Sequence, residues 1–202
     1  MEQFITLYLK LFFMMTPFFV LSVFLIMSKD LVKKEKRRII LKLGVTVIIT
    51  SLIFLIFGKY IFNLFGITLD AFKIGAGTVL FLSALEMIKG NEELPEAEGK
   101  RKGDFSVVPL AIPISVGPGM IGILMVIGAE LKYVADIIVV CLSLLASVLS
   151  LMGVLLISNK IQRVLGQQGL EVLPKITGLF VSAIGAQIIF SGIAGFMNIS
   201  AY

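Results

Sequence analysis

The sequence predicts an all-α integral membrane protein with six transmembrane helices, built as two inverted-topology three-helix repeats. Three observations predict this fold class: an apolar composition, six long hydrophobic stretches and a repeat of half the chain length. Hydrophobic residues make up 58% of the 202 residues and charged residues 15%, and the mean hydropathy is +1.04. Such values are typical of polytopic membrane proteins and exclude a sizeable soluble domain.

Each of the six apolar stretches is long enough to cross the ~30 Å hydrocarbon core as a helix. Their expected bounds are residues 4–27, 39–57, 71–88, 105–127, 134–158 and 176–197. The second helix can continue to Leu64, ahead of the turn signal Phe65-Gly66. Residues 91–104 mix both charges with Pro and Gly, which indicates a mobile cytoplasmic linker between a first repeat, 1–90, and a second repeat, 105–202.

The distribution of basic residues predicts the orientation in the membrane. With the N-terminus outside, fourteen of the 18 Lys and Arg lie on the cytoplasmic side, and only Lys10, Lys59, Lys73 and Lys132 lie outside. The positive-inside rule therefore predicts a multi-pass protein of the cell membrane with both termini outside. The net charge of +5 is explained by orientation signals and contacts with bilayer lipids, and no nucleic-acid partner is expected.

Two of the predicted spans carry helix-breaking residues near their centres. Residues 107–122 read VVPLAIPISVGPGMIG, and the first span contains Thr16-Pro17. Proline lacks the N–H that bonds back one turn, and peptide groups freed in hydrocarbon must face protein, water or a ligand. Discontinuous helices of this kind form the substrate sites of secondary transporters near mid-membrane, whereas the alternative is a proline kink in a packed helix.

A shift of 101 residues aligns the two halves without gaps. Among the matched pairs are Pro17 with Pro118, Lys59 with Lys160, Leu64 with Leu165, Asp70 with Glu171, Gly77 with Gly178 and Ile88 with Ile189. Each half contains three spans, an odd number, so the halves enter the membrane from opposite sides. The two breaks are equivalent under this repeat, and an inverted repeat lets a transporter exchange its outward and inward states.

The candidate substrate-binding residues lie at the breaks or on the faces of the third and sixth spans. They are Thr16, Pro17, Gly75, Gly77, Ser115, Gly117, Pro118, Gly119 and Gln187. For Gly75 and Gly77, helix packing is an equal alternative, and the heptad-spaced Gly178, Gly185 and Gly192 form a packing stripe. A side chain added at Gly119 is expected to exclude the ligand and to leave the fold intact.

Other kinds of site are not expected. The sequence has no His and lacks the metalloprotease, nucleophile-elbow and P-loop motifs, so no metal, cofactor or enzyme activity is predicted. Lys10, Lys42, Lys73 and Glu86 lie within about two helical turns of a span end, where long side chains reach the interface. A coupling ion, H⁺ or Na⁺, would therefore use backbone carbonyls or water.

Three segments carry a resemblance to a known family. EKRRIILK, FGITLDAFKIGAGTVLFLSALEMIKG and VVPLAIPISVGPGMIG together resemble the MarC family of six-span membrane proteins. The resemblance implies a place in the LysE-like transporter superfamily and the movement of glycine, alanine and similar amino acids. The family usually has Asn-Pro or Asp-Pro at the first break, so no amide or carboxylate contact is carried over to Thr16.

The resulting hypothesis is a secondary transporter of small neutral amino acids. A zwitterion needs both signs of partial charge, and two broken helices offer free N–H groups and free carbonyls. The alternatives are a channel or exporter for another small solute, and a structural membrane protein without a transported ligand.

Overall fold

The computed structural model describes residues 2–90, 106–131 and 133–197. In these ranges the chain forms seven α-helices and one π-helix, joined by short connections. In chain order they are α1 (Glu2–Met14), α2 (Pro17–Met27), α3 (Lys33–Phe65), α4 (Leu69–Lys89), the π-helix (Ser106–Ser115), α5 (Pro118–Glu130), α6 (Val134–Leu156) and α7 (Ser158–Phe196). The predicted linker, 91–104, lies outside the described residues.

Five helical segments are long and apolar enough to cross a membrane, within the described ranges. They are Glu2–Met27, Lys33–Gly58, Leu69–Lys89, Val134–Leu156 and Gln168–Phe196. The structure therefore confirms an all-helical, multi-pass membrane protein. The predicted fourth span differs, because it is divided between the π-helix and α5, an apolar helix of 13 residues. At 1.5 Å per residue α5 is about 20 Å long, too short to cross the hydrocarbon core alone.

The π-helix contains prolines 109 and 113. Neither residue has an N–H to donate, so each interrupts the α-helical hydrogen-bond ladder, and the backbone here has a wider turn. At its end the Val116 N–H donates to the Ala111 carbonyl, five residues back, at 2.9 Å. The sequence predicted an interruption in this region, but it did not predict π-helical geometry.

Two helices begin earlier than the apolar pattern predicted. α3 starts at Lys33 rather than at residue 39, and the Glu35 carboxylate accepts the Val32 N–H at 3.1 Å, which closes the first turn. α7 starts at Ser158 rather than at residue 176 and bends at Gly166, where φ is 66°. Both corrections have one physical reason: these polar helix ends extend beyond the apolar core, so hydropathy does not detect them.

The helices of the two halves pack mainly against each other. α4 lies along α7, α3 packs against α5, and α1 packs against α6. Buried apolar side chains from α1, α2, α3, the π-helix, α5 and α6 meet in one cluster. Buried residues next to the two breaks belong to this cluster, Met15 at the first and Val116 at the second.

The glycine stripe of α7 makes the α4–α7 contact possible. A Cβ at Gly185 would lie 2.9 Å from the Phe81 backbone nitrogen, and a Cβ at Gly77 would lie 2.9 Å from the Gly185 carbonyl oxygen. Side chains at these positions would force the backbones apart. Gly77 therefore serves helix packing, whereas a Cβ at Gly75 would meet no atom within 4 Å.

This difference gives a matched pair of substitutions on one helix. Gly77→Ala is expected to destabilise the protein by about 1–3 kcal/mol, because the new methyl group meets backbone that cannot move away cheaply. Gly75→Ala should leave stability unchanged or raise it by up to about 1 kcal/mol, since alanine favours helix over glycine. Thermal unfolding in detergent measures both, and equal melting temperatures would contradict the close α4–α7 contact.

The helix boundaries of the two halves correspond closely. Three pairs of boundaries are 101 residues apart. α1 ends at Met14 and the π-helix at Ser115. α2 starts at Pro17 and α5 at Pro118, and α3 starts at Lys33 and α6 at Val134. Gly66 follows the end of α3, and Gly166 lies at the bend of α7. Both have positive φ, and they are 100 residues apart. The halves thus share the places where the chain breaks and turns.

Candidate functional site

The first break separates α1 from α2 at the predicted position. Thr16 has φ 47° and ψ 56°, a left-handed conformation that no other non-glycine residue among those described adopts. Pro17 follows as the first residue of α2, where the absence of an N–H costs nothing. The structure therefore confirms an interruption at Thr16-Pro17.

Thr16 is held in a strained backbone conformation. A β-branched residue at positive φ is a genuine outlier, and such strain costs of order 1–3 kcal/mol. The Thr16 N–H donates to the Phe13 carbonyl at 3.0 Å, and its own carbonyl accepts the Val20 N–H at 3.0 Å. Asn and Asp tolerate this conformation better than a β-branched residue does.

Relief of this strain should be measurable. Thr16→Asn is expected to raise stability by about 1 kcal/mol, because asparagine adopts the left-handed region more readily. The corresponding rise in melting temperature is about 2–4 °C for a chain of this size. Thr50→Asn, on the continuous helix α3, is the matched control and should show no gain. A lower melting temperature for Thr16→Asn than for Thr50→Asn would contradict the strained geometry.

The second break lies between the π-helix and α5. Gly117 is extended, with φ −81° and ψ 176°, and Pro118 is the first residue of α5, as Pro17 is of α2. The Ser115 hydroxyl donates to the Leu110 carbonyl at 2.8 Å, within the π-helix. Ser115 is buried, Gly117 is half-buried and Pro118 is exposed. The second predicted interruption is therefore present as well.

The breaks supply free polar backbone groups. The first N–H groups of any helix lack an intrahelical acceptor, and neither Thr16 nor Gly117 provides a side-chain cap. Such N-termini attract anionic groups, whereas the carbonyls at the ends of α1 and the π-helix attract cations. Elements on either side of the two breaks are in contact, since α2 packs against the π-helix. This arrangement suits a ligand that carries both charges.

The other predicted site residues lie elsewhere. Gly119 is buried against Leu80 of α4, so a leucine there would collide with Leu80, contrary to the expectation of an intact fold. Gly77 lies in the α4–α7 interface, and Gly75 and Gln187 are exposed. The predicted site residues that do lie at the breaks are Thr16, Pro17, Ser115, Gly117 and Pro118.

A charged cluster joins α1, α4 and α5 at one end of the molecule. The Lys73 ammonium lies 2.6 Å from the Glu130 carboxylate and 4.0 Å from Asp70, and the Lys73 side chain is only 13% exposed. Lys10 of α1 is half-buried and interacts electrostatically with Glu130 and Lys73. Sequence reasoning placed Lys73 at the interface by snorkelling and missed this cluster, because its partner lies 57 residues away on another helix.

A cavity of about 650 Å³ lies at the opposite end. It is lined from α2, the start of α3, the α6–α7 corner and α7, and its polar residues include Ser22, Lys29, Lys36, Asn159 and Glu171. Sequence reasoning did not identify it, because its lining comes from four separate parts of the chain.

Comparisons with known proteins agree that the chain is an integral membrane protein. A family model described as MarC family integral membrane protein matches residues 1–197. The chain is 33% identical over 200 residues to UPF0056 membrane protein MJ1677 of Methanocaldococcus jannaschii, covering 96% of this chain and 98% of the relative. It is 31% identical to a UPF0056 membrane protein of Aquifex aeolicus, with 98% and 97% coverage, and 28% identical to UPF0056 membrane protein YhcE of Escherichia coli, with 93% and 90%. No solved structure matches the chain significantly.

Proposed function

Because this chain belongs to the MarC family of integral membrane proteins, we propose that it is a secondary transporter of small neutral amino acids such as glycine and alanine. Transport occurs by alternating access across the cell membrane. The substrate lies at the two helix breaks, with its carboxylate at free N–H groups and its ammonium at free carbonyls. A coupling ion, H⁺ or Na⁺, uses the same carbonyls or water.

The proposed architecture is a pair of inverted three-helix repeats with six spans. The π-helix and α5 together form the fourth span, equivalent to α1 and α2 in the first. Three pairs of helix boundaries separated by 101 residues support this repeat, as does the packing of each half against the other. Such repeats exchange conformations between the halves, and this exchange opens the central site to each side in turn.

The observation that carries the proposal is the pair of uncapped breaks within apolar helices. Each begins a helix with proline, and the first holds a β-branched residue at positive φ. Unsatisfied peptide groups at membrane depth cost several kcal/mol each, so they persist where a ligand, water or protein satisfies them. Strained backbone of this kind is concentrated at functional sites.

Ligand-dependent thermal stabilisation tests the proposal on purified protein. A ligand that binds the folded state at 100 times its Kd stabilises it by about 2.7 kcal/mol. Glycine and alanine are expected to raise the melting temperature, whereas leucine should not, since a small site rejects added methylenes by on the order of 1–3 kcal/mol. Glycolate and methylamine each lack one charge of glycine and are the matched control ligands.

The outcomes separate the three functional hypotheses. Stabilisation by glycine but not by glycolate or methylamine supports a zwitterion site. Stabilisation by another small solute alone would favour a channel or exporter for that solute. The absence of stabilisation by any small solute would favour a structural membrane protein.

The proposal also assigns an orientation, with both termini outside. Fourteen of the 18 Lys and Arg then lie on the cytoplasmic side, in accordance with the positive-inside rule. A cysteine at the exposed position Gln3, introduced with Cys141→Ala, is expected to react with an impermeant maleimide added to intact cells. Reaction only after the membrane has been opened would overturn the orientation.

A further inference from the structure

The cavity between α2 and α7 has charged residues of both signs at its mouth. Lys29 follows the end of α2 and Glu171 lies on α7; both are exposed and both line the cavity. No ion pair within 4 Å joins these two described residues. Lys29 and Glu171 therefore face the same space without closing it.

The 101-residue repeat gives this cavity an equivalent at the other end of the molecule. Lys29 corresponds to Glu130, Glu171 corresponds to Asp70, and the cavity-lining Asn159 corresponds to Gly58. The equivalent region is closed. A Cβ at Gly58 would lie 2.7 Å from the Met125 Cα, so α3 and α5 approach each other backbone to backbone.

Charged side chains also help to close the end opposite the cavity. Lys73 of α4 lies 2.6 Å from Glu130 of α5 and 4.0 Å from Asp70, and with Lys10 it offsets the repulsion between these two carboxylates. At the cavity end the position equivalent to Lys73 is Pro174, which has no charge. The position equivalent to Glu130 is instead the cation Lys29, so Lys29 and Glu171 can pair directly.

We propose that Lys29 and Glu171 form an ion pair that closes the cavity in the opposite transport state, as Glu130, Lys73 and Asp70 close the other end in this structure. The inference rests on the proposed alternating-access function and extends it to named closing residues on each side. In an inverted repeat, the contacts that close one side have equivalents that close the other. The cavity is then the passage to the helix breaks from the cytoplasmic side.

The test weakens the closed end and follows the cavity with a cysteine reporter. Ser22 lines the cavity, and Ser22→Cys with Cys141→Ala places one reactive thiol there. Glu130→Gln should shift the population toward the state in which the cavity is closed. The rate of maleimide labelling is expected to fall about two- to fivefold, the size of effect that a partly exposed ion pair gives. Simple loss of stability would instead raise the rate.

Charge reversals in the Glu130→Gln protein then identify the pair. Lys29→Glu should return labelling to its original rate, since two carboxylates at the mouth repel each other. Lys29→Glu with Glu171→Lys should slow it again, because the swapped charges can pair. Lys33→Glu is the matched control, since Lys33 is exposed on the same side but does not line the cavity, and it should have no effect.

Three results would each overturn the inference. The first is that Glu130→Gln leaves the labelling rate unchanged or raises it. The others are equal effects of Lys29→Glu and Lys33→Glu, and a swap of Lys29→Glu with Glu171→Lys that fails to slow labelling. The labelling is done without solute, so it does not depend on the amino-acid substrate. If no amino acid stabilises the protein but the labelling results are as expected, the closing ion pair is supported and the proposed amino-acid substrate is wrong.

Discussion

Replacement of Gly117 and Pro118 by alanine is expected to abolish glycine binding and to leave the protein folded. Alanine at both positions lets the backbone continue as a helix from Ser115 into α5, and position 118 gains the N–H that proline lacks. The polar groups freed by the break then bond within the helix. Because charge-assisted hydrogen bonds contribute about 1.5–3 kcal/mol each, loss of two should weaken binding at least about a hundredfold.

The burial of these residues makes the fold robust to the change. Pro118 is exposed and Gly117 is half-buried, so neither substitution opens a cavity in the core. Gly153→Ala with Pro174→Ala is the matched control: it makes the same two replacements in α6 and α7, and a Cβ at Gly153 would meet no atom within 4 Å. The control should bind glycine as the parent does. Normal glycine binding by the Gly117→Ala, Pro118→Ala protein would show that the site does not lie at the breaks.

Glu130→Lys is expected to destabilise the protein strongly. It removes the partner of Lys73 and adds a third cation beside Lys73 and Lys10. Breaking a buried ion pair costs about 3–5 kcal/mol, but the Glu130 side chain is 51% exposed, so solvent screening reduces the expected loss to about 1–3 kcal/mol. The melting temperature should fall by several degrees, and less so in about 1 M salt, where the Debye length is about 3 Å.

Glu86→Lys is the control for this reversal. Glu86 is exposed near the end of α4, where added positive charge is favourable to the helix dipole. Its melting temperature should stay close to that of the parent. Equal losses for the two variants, or a loss for Glu130→Lys that salt does not reduce, would show that the cluster is not electrostatically coupled.

The features that local chemistry determines could be predicted from the sequence. Apolar length predicted the membrane helices, and the breaks at Thr16-Pro17 and Gly117-Pro118 follow from the missing N–H of proline. The spacing of Gly178, Gly185 and Gly192 predicted the packing stripe, because residues seven apart lie on one face of a helix. Each of these inferences depends only on residues of one predicted span.

Features that depend on tertiary contact could not be predicted. The left-handed conformation of Thr16 opposes the preference of a β-branched residue, so surrounding structure must impose it. Gly119 appeared free to carry a side chain until the position of Leu80 on another helix was known. The Lys73–Glu130 pair and the cavity likewise join distant parts of the chain, which one sequence alone does not bring together.

Solute counterflow in proteoliposomes tests the central claim most directly. Vesicles containing the purified protein and a high internal concentration of unlabelled glycine are placed in a trace of labelled glycine, and accumulation of the label is followed with time. The claim predicts transient accumulation that external alanine inhibits, leucine does not, and the Gly117→Ala, Pro118→Ala protein fails to support. Accumulation no greater than in protein-free vesicles, with folded protein present, would contradict it, and so would equal accumulation by that variant.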